Sequence, residues 1–353
     1  MKIEIASLRL VGCGPFDDVT LDFCDKDGKP KKTILLAGAN GSGKTTVLEE
    51  IISIFEHMTE ERLDESAFQN GFAVNSILPR SDYVQIEAFL DNGFYSVYFG
   101  DKPKDAKYEF PYMGYPRFNS LFEEASDYSK DAWESFRKSD LIQKMYEQEK
   151  GKKIGIEPEQ GSAPPSILYF SRPRKIKVSR GATAYKEKFQ YNFTWRNPDT
   201  LDFQGSLASY IFYWSIQDNQ KEYNSIIEFL NNLEIMDKKF AADKANFGAI
   251  VVLPNGKTHS VDEMSSGEQN LFIILLELRR RLAHGSIVMI DEVEESLHPA
   301  YQYKLIYALQ KLQAMYHFQL IMTTHSLDIL DAVGPGNTLF LTDYSELKVE
   351  LTK

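Results

Sequence analysis

Gly38-Ala-Asn-Gly-Ser-Gly-Lys44-Thr45 gathers three glycines, a lysine and a threonine into eight residues. Glycines let the backbone turn its N–H groups inward around an anion, a lysine reaches terminal phosphates, and an adjacent hydroxyl suits Mg²⁺. The run follows the apolar stretch Thr33–Ala37 and precedes Val47, Leu48, Ile51, Ile52 and Phe55, which recur at helical spacing. A strand, a glycine turn and a helix in this order form a phosphate cradle, because the helix N-terminus adds positive potential. Gly38, Ala39, Asn40, Gly41, Ser42, Gly43, Lys44, Thr45 and Thr46 are therefore expected to hold ATP. Lys44 would reach the β- and γ-phosphates, and Thr45 would bind Mg²⁺.

Three further groups carry candidate chemistry. Ile287-Val-Met-Ile290 is a short apolar run that ends in Asp291 and Glu292. A carboxylate at the C-terminal end of a buried strand lies where open α/β sheets bind ligands. Asp291 is expected to hold Mg²⁺, directly or through water, and Glu292 to polarise the attacking water. Ser265-Ser-Gly-Glu-Gln269 precedes the apolar helix 271–282, and Ser265 and Glu268 have the spacing of a capping box. A capped helix start also presents N–H groups to an anion, so Ser266, Gly267 and Glu268 are nucleotide-binding candidates. Thr323-Thr-His325-Ser ends the next apolar run, and His325 there is within reach of a γ-phosphate.

The elements that must position these groups follow from periodicity. Alternating residues mark strands near 3–10 and 19–23, and Asn92-Gly93 between 83–90 and 94–99 marks a hairpin. Helices are expected at 44–57, 206–216, 221–233 and 299–316. Short apolar strands fall at 167–170, 287–290, 319–323, 338–341 and 347–351. Alternating strands and helices with apolar strands imply an α/β fold with a mainly parallel sheet. Lobe I spans 1–100, with the phosphate loop and an antiparallel β-lobe. An inserted, partly helical segment spans 101–165, and 166–353 completes the fold.

The 353 residues carry a net charge of −11 with 43% hydrophobic residues. That composition excludes global disorder and argues against coating nucleic acid by bulk charge. Two cysteines cannot staple the fold, and no run of about 18 apolar residues offers a membrane span. A cytoplasmic protein without a membrane partner is expected. The basic stretch 172–188 reads either as a solvated hairpin or as a face for DNA or a partner.

The four groups, in this order, resemble the ATPase heads of the ABC superfamily: Walker A, signature, Walker B and switch histidine. Ile5-Ala-Ser-Leu-Arg-Leu-Val-Gly12 with Phe16 and Leu21-Asp-Phe23 is similar to the heads of RecF and SMC-type ATPases. Ile290-Asp-Glu-Val-Glu-Glu-Ser-Leu-His-Pro299 resembles the I-D-E-P-E-x-x-L-H-P segment of the OLD family, with Val293 in place of proline. The resemblance implies a P-loop NTPase that hydrolyses ATP with Mg²⁺ as an ATP-sandwich homodimer. Ser266 and Gly267 of one subunit would cap the ATP held by the other. Glu292 would be the general base, His325 the γ-phosphate sensor, and Ser296–His298 the loop at the dimer interface. It further implies a sensor or scaffold role in DNA repair or anti-phage defence. Only 28 residues follow His325, too few for a Toprim nuclease, so the effector, a nuclease or toxin, is expected on a separate chain. A structural scaffold with negligible turnover and a transporter ATPase subunit are the rival readings. The family's Q-loop glutamine has no clear equivalent: Gln85 lies in an expected strand, and Leu168-Tyr-Phe-Ser-Arg172 contains none.

Overall fold

The computed structural model describes residues 1–60, 81–91, 93–107, 112–115, 127–128, 140, 144, 163–172, 193–197, 221–235, 238–243, 248–260 and 263–342. The expected helix 206–216, the expected strand 347–351 and most of the basic stretch lie outside them.

Apolar strands with no polar alternation must be buried on both faces. β3 (Thr33–Ala37), β8 (Ile167–Phe170), β13 (Ile287–Ile290) and β14 (Gln319–Thr324) meet this condition. With β9 (Thr194–Arg196) and β15 (Thr338–Phe340) they form a six-stranded sheet in the order β15-β3-β14-β13-β8-β9. Every pairing in it is parallel. Alternate residues feed two cores. Leu35, Leu168, Val288, Ile290, Leu320 and Met322 face one apolar cluster, which holds α3 (Ser266–Arg281) and α4 (Pro299–Tyr316). Ile34, Leu36, Ile167, Met289 and Ile321 face the other, which holds α1 (Lys44–Glu60). The five apolar residues of α1 picked out by spacing are all fully buried, each contributing about 1.5–3 kcal/mol.

The second core is closed by an antiparallel sheet. β1 (Ile3–Cys13) pairs with β2 (Phe16–Asp22) and with β4 (Tyr83–Leu90), and β4 pairs with β5 (Gly93–Gly100). β6 (Tyr112–Tyr115), which pairs parallel with β5, and β7 (Asp127–Tyr128), antiparallel to β6, extend the same sheet from the segment after residue 101. Gln319, at the start of β14, joins the two sheets. It accepts from Ile5 N at 2.7 Å and donates to Ile5 O at 2.9 Å and Lys31 O at 3.0 Å. A small sheet of β10 (Lys239–Asp243), β11 (Gly248–Val252) and β12 (Thr258–Ser260) comes after α2 (Lys221–Asn232). The short helix α5 (Leu327–Val333) comes after β14. Among the described residues no helix is long and apolar enough to cross a membrane.

Candidate nucleotide site

β3, β13 and β14 are neighbours and run parallel, so the loops at their C-terminal ends collect at one edge of the sheet. These loops are the glycine turn, Asp291-Glu292 and His325-Ser326. In the glycine turn Gly41 and Gly43 hold φ of 81° and 92°, which glycine adopts without strain. A Cβ at Gly43 would stand 2.4 Å from the Phe16 ring, so the β1–β2 turn packs directly beneath the loop. Lys44 is buried, and its ammonium donates to Gly38 O at 2.7 Å and Ala39 O at 2.8 Å. Asn40 and Gly41 are exposed at the tip of the loop. The buried Ser42 hydroxyl has no hydrogen-bond partner among the described residues and is an open donor inside the turn. Thr46 packs instead toward Gly14.

Thr45 Oγ1 donates to Asp291 at 3.0–3.1 Å. Hydroxyl and carboxylate oxygens converging in this way form the hard donor set that Mg²⁺ takes, so the residues fit that ion. Thr323 ties the group together. Its fully buried hydroxyl donates to Asp291 Oδ1 and accepts from Glu292 N, both at 2.7 Å. Glu292 sits at φ 41°, left-handed backbone that costs a non-glycine residue about 1–3 kcal/mol. The Thr323 bond and the Val293 N–H, which donates to Thr323 O at 3.1 Å, hold the turn there. A proline at 293 would have no N–H for this bond.

Burial pushes the Glu292 carboxyl above its ordinary range, and the nearby Arg172 and His325 only partly offset it. Arg172 Nη1 lies 2.5 Å from Glu292 Oε2. Glu294 fixes the histidine. Its carboxylate accepts from His325 N at 2.7 Å and from Thr324 Oγ1 at 2.8 Å. His325 Nδ1 is 3.1 Å from Glu294 and 3.9 Å from Glu292, near enough for charge but without hydrogen-bond alignment.

The Ser265–Gln269 group is a full capping box. Glu268 N donates to Ser265 Oγ, and the Glu268 carboxylate accepts from Ser265 N at 3.1 Å. α3 begins at Ser266, where the capping-box spacing of Ser265 and Glu268 places its start. Glu268, a candidate nucleotide ligand by sequence, is buried and also pairs with Lys238 at 2.6 Å. Ser265 and Ser266 are exposed. A Cβ at Gly267 would stand 2.2 Å from Ser296 O, and Asn270 donates to Glu295 O at 2.8 Å. The signature is thus pressed onto the turn that comes after Glu292. His298 caps α4, with Pro299 at its first position.

Structure thus brings Thr45, Asp291, Glu292 and His325 into one network, and adds Thr323, Glu294 and Arg172, which sequence reasoning did not assign to it. Gln85 is locked in β4, where it accepts from Tyr83 OH at 2.9 Å. Arg279, Arg280 and Arg281 are structural: the last two pair with Glu277 at 2.8 Å, and Arg279 donates to Ser225.

A family described as an AAA domain, putative AbiEii toxin, Type IV TA system matches residues 34–331, a span that contains the whole network. The chain belongs to this family. Two relatives are named as probable ATPases. The retron Ec83 probable ATPase of Escherichia coli is 20% identical over 98% of this chain and 73% of its own length. The retron Vc95 probable ATPase of Vibrio cholerae serotype O1 biovar El Tor is 23% identical over 94% and 73%. Among solved structures, the SMC head domain from Thermotoga maritima aligns with 94% of this chain and 92% of its own at TM-score 0.40 and 14% identity. The ABC transporter cassette MJ0796 aligns with 96% of each chain at 0.37 and 10%. The family match makes this chain an AAA-domain protein.

Proposed function

We propose that the chain is one half of an ATP-sandwich homodimer, acting as sensor and scaffold beside a separate effector in anti-phage defence or DNA repair. The family description speaks of a toxin and a TA system, and both named relatives are retron ATPases. The relatives' names support the ATPase and the family description a toxin–antitoxin setting; a separate effector, a nuclease or toxin, and DNA as a further partner belong to the reading that the motif resemblance implies.

In this reading Lys44 leaves the Gly38 and Ala39 carbonyls for the β- and γ-phosphates of ATP, a stronger anionic acceptor. Gly38–Thr46 supplies backbone N–H groups around the phosphates. Held by Thr45 and Asp291, Mg²⁺ would neutralise phosphate charge. Glu292 accepts the proton of the attacking water. Its raised pKa makes it a stronger base than an exposed carboxylate, and its turn is fixed by Thr323. His325, oriented through Glu294, faces the γ-phosphate. Ser266 and Gly267 of the second subunit close the site.

The contact of Gly267 with Ser296 carries the dimer reading. It makes the exposed start of α3 and the turn after Glu292 one continuous surface, so a second head could close on both at once. The test is Glu292→Gln with ATP in size exclusion coupled to light scattering. The amide cannot take the proton, so ATP stays intact and the mass should double with ATP but not with ADP. A mass that stays monomeric with ATP sinks the sandwich. Purification of the native complex then identifies the effector.

A further inference from the structure

β8 and β13 run parallel with Phe170 opposite Ile290. Continued two residues past that pair, the register brings Arg172 alongside Glu292. The guanidinium spans both carboxylates: Nη1 is 2.5 Å from Glu292 Oε2, and Nε is 3.5 Å from Asp291 Oδ2. A cation thus stands at the end of β8, beside the two carboxylates.

Asp291 is crowded and buried. Oδ1 accepts from Thr323 at 2.7 Å and Thr45 at 3.1 Å, while Oδ2 accepts from Thr45 at 3.0 Å and faces Arg172. A carboxylate offers about four lone-pair sites, and Oδ2, which shares the Thr45 proton and faces the guanidinium at 3.5 Å, is its less firmly held oxygen, so a divalent cation arriving there competes with Arg172. Thr323 is fully buried inside β14. Thr45 is itself one of the oxygen ligands. Arg172 is the donor able to move: its side chain is 40% exposed, and its contact with Asp291 is the longest of the set. Guanidinium and Mg²⁺ also repel each other across one carboxylate.

We infer that Arg172 is a latch on the Asp291–Glu292 pair, and that Arg172 and Mg²⁺ exclude each other at Asp291. The inference rests on Thr45 and Asp291 as the Mg²⁺ ligands. Arg172 is then a positioning residue. It holds both carboxylates together, and it yields Asp291 while keeping its shorter bond to Glu292 as the ion enters. The arrangement makes nucleotide affinity less dependent on Mg²⁺ than an unlatched carboxylate would.

Calorimetric titration of the full chain with ADP, once with Mg²⁺ and once with EDTA, tests this without relying on turnover. The readout is the Kd in EDTA divided by the Kd with Mg²⁺. Arg172→Gln should raise that ratio about tenfold, equivalent to about 1.4 kcal/mol, with the EDTA value changed by less than about twofold. Arg172→Lys keeps the charge but cannot bridge two carboxylates as a fork, and should fall between. Unchanged thermal melting and circular dichroism check the fold of each variant. A ratio that stays at the wild-type value or drops in Arg172→Gln overturns the latch. So does a loss of ADP affinity in EDTA, which would make Arg172 a phosphate ligand. A ratio of one in wild type and in Arg172→Gln alike removes the Mg²⁺ ligands, and the latch with them. No ADP binding in either medium removes the nucleotide site itself.

Discussion

Thr323→Val removes one oxygen from the middle of the carboxylate network and leaves the shape of the strand nearly unchanged. Two bonds go with it. Asp291 Oδ1 loses a 2.7 Å donor, and Glu292 N loses its 2.7 Å acceptor. The first is a hydrogen bond to a charged group, worth about 1.5–3 kcal/mol, and the second leaves a part-buried N–H unsatisfied at about 1–3 kcal/mol. Relaxation of the turn offsets some of this, so a loss of about 2–4 kcal/mol in urea unfolding is expected. Activity should suffer separately. Glu292 holds φ 41° partly through that bond, and a shift of about 1 Å in a catalytic group costs up to about 100-fold. Phosphate release at saturating ATP should therefore fall by about 10- to 100-fold. Thr323→Ser restores the hydroxyl and should recover most of the rate. Wild-type turnover in Thr323→Val would refute the network as the device that aims Glu292. Equal damage in the serine variant would assign the effect to packing.

Gly267→Ala tests the contact between the signature and the turn. Alanine is normally the better helix former by about 1 kcal/mol, but here its Cβ would meet the backbone oxygen of Ser296 at 2.2 Å. A net loss of about 1–3 kcal/mol is expected from thermal melts, together with slower turnover; a more stable, fully active variant would show that the helix end floats free of the turn. Ser266→Arg should keep ADP affinity and lose turnover, and mixing it with Lys44→Ala should restore a fraction of the rate, because one composite site per heterodimer is undamaged. A dead mixture would leave the in-trans arrangement without support. Glu268 is raised by burial, but Lys238 and Ser265 override that and hold its pKa below the ordinary 4.5. A depressed carboxylate adds stability above its unfolded pKa and loses it as pH falls through the folded one. The stability gap between wild type and Glu268→Gln should therefore be widest near neutral pH and close below about pH 4, as read from unfolding curves at several pH values. A gap independent of pH would mean the ion pair contributes nothing.

Local chemistry was legible in the sequence alone. The phosphate loop, the capping box at Ser265 and Glu268, and Pro299 at a helix start are written within a few residues each. The apolar strands 287–290 and 319–323 were also readable, because burial on both faces leaves no polar alternation to misread. Less visible was everything that depends on which strand lies beside which. Arg172 and Glu292 are 120 residues apart and meet through the β8–β13 register. In sequence Arg172 was one cation among several in a basic stretch. Lys238, the ion-pair partner of Glu268, is 30 positions away and has no motif of its own, so that contact was not readable either. Thr323 carried a signal that went unread: a hydroxyl two residues before a strand-end histidine lies beside the carboxylate strand whenever the two strands are parallel neighbours.

β14 links two places that the chemistry would otherwise leave independent. Its first residue, Gln319, is tied to the antiparallel sheet at Ile5 and to the β2–β3 connection at Lys31, and its far end carries Thr323, Thr324 and the chain into His325. Six buried residues of strand make a stiff rod of roughly 20 Å. Tilting such a rod by about 3° at the Gln319 end moves the other by about 1 Å, the scale on which aligned reactive groups stop working. Rocking of the β-lobe and the alignment of Glu292 and His325 are thereby geared together. A load applied to the β1–β2 hairpin, which ends at Asp22, well before the phosphate loop in sequence, becomes a setting of the carboxylate–histidine network.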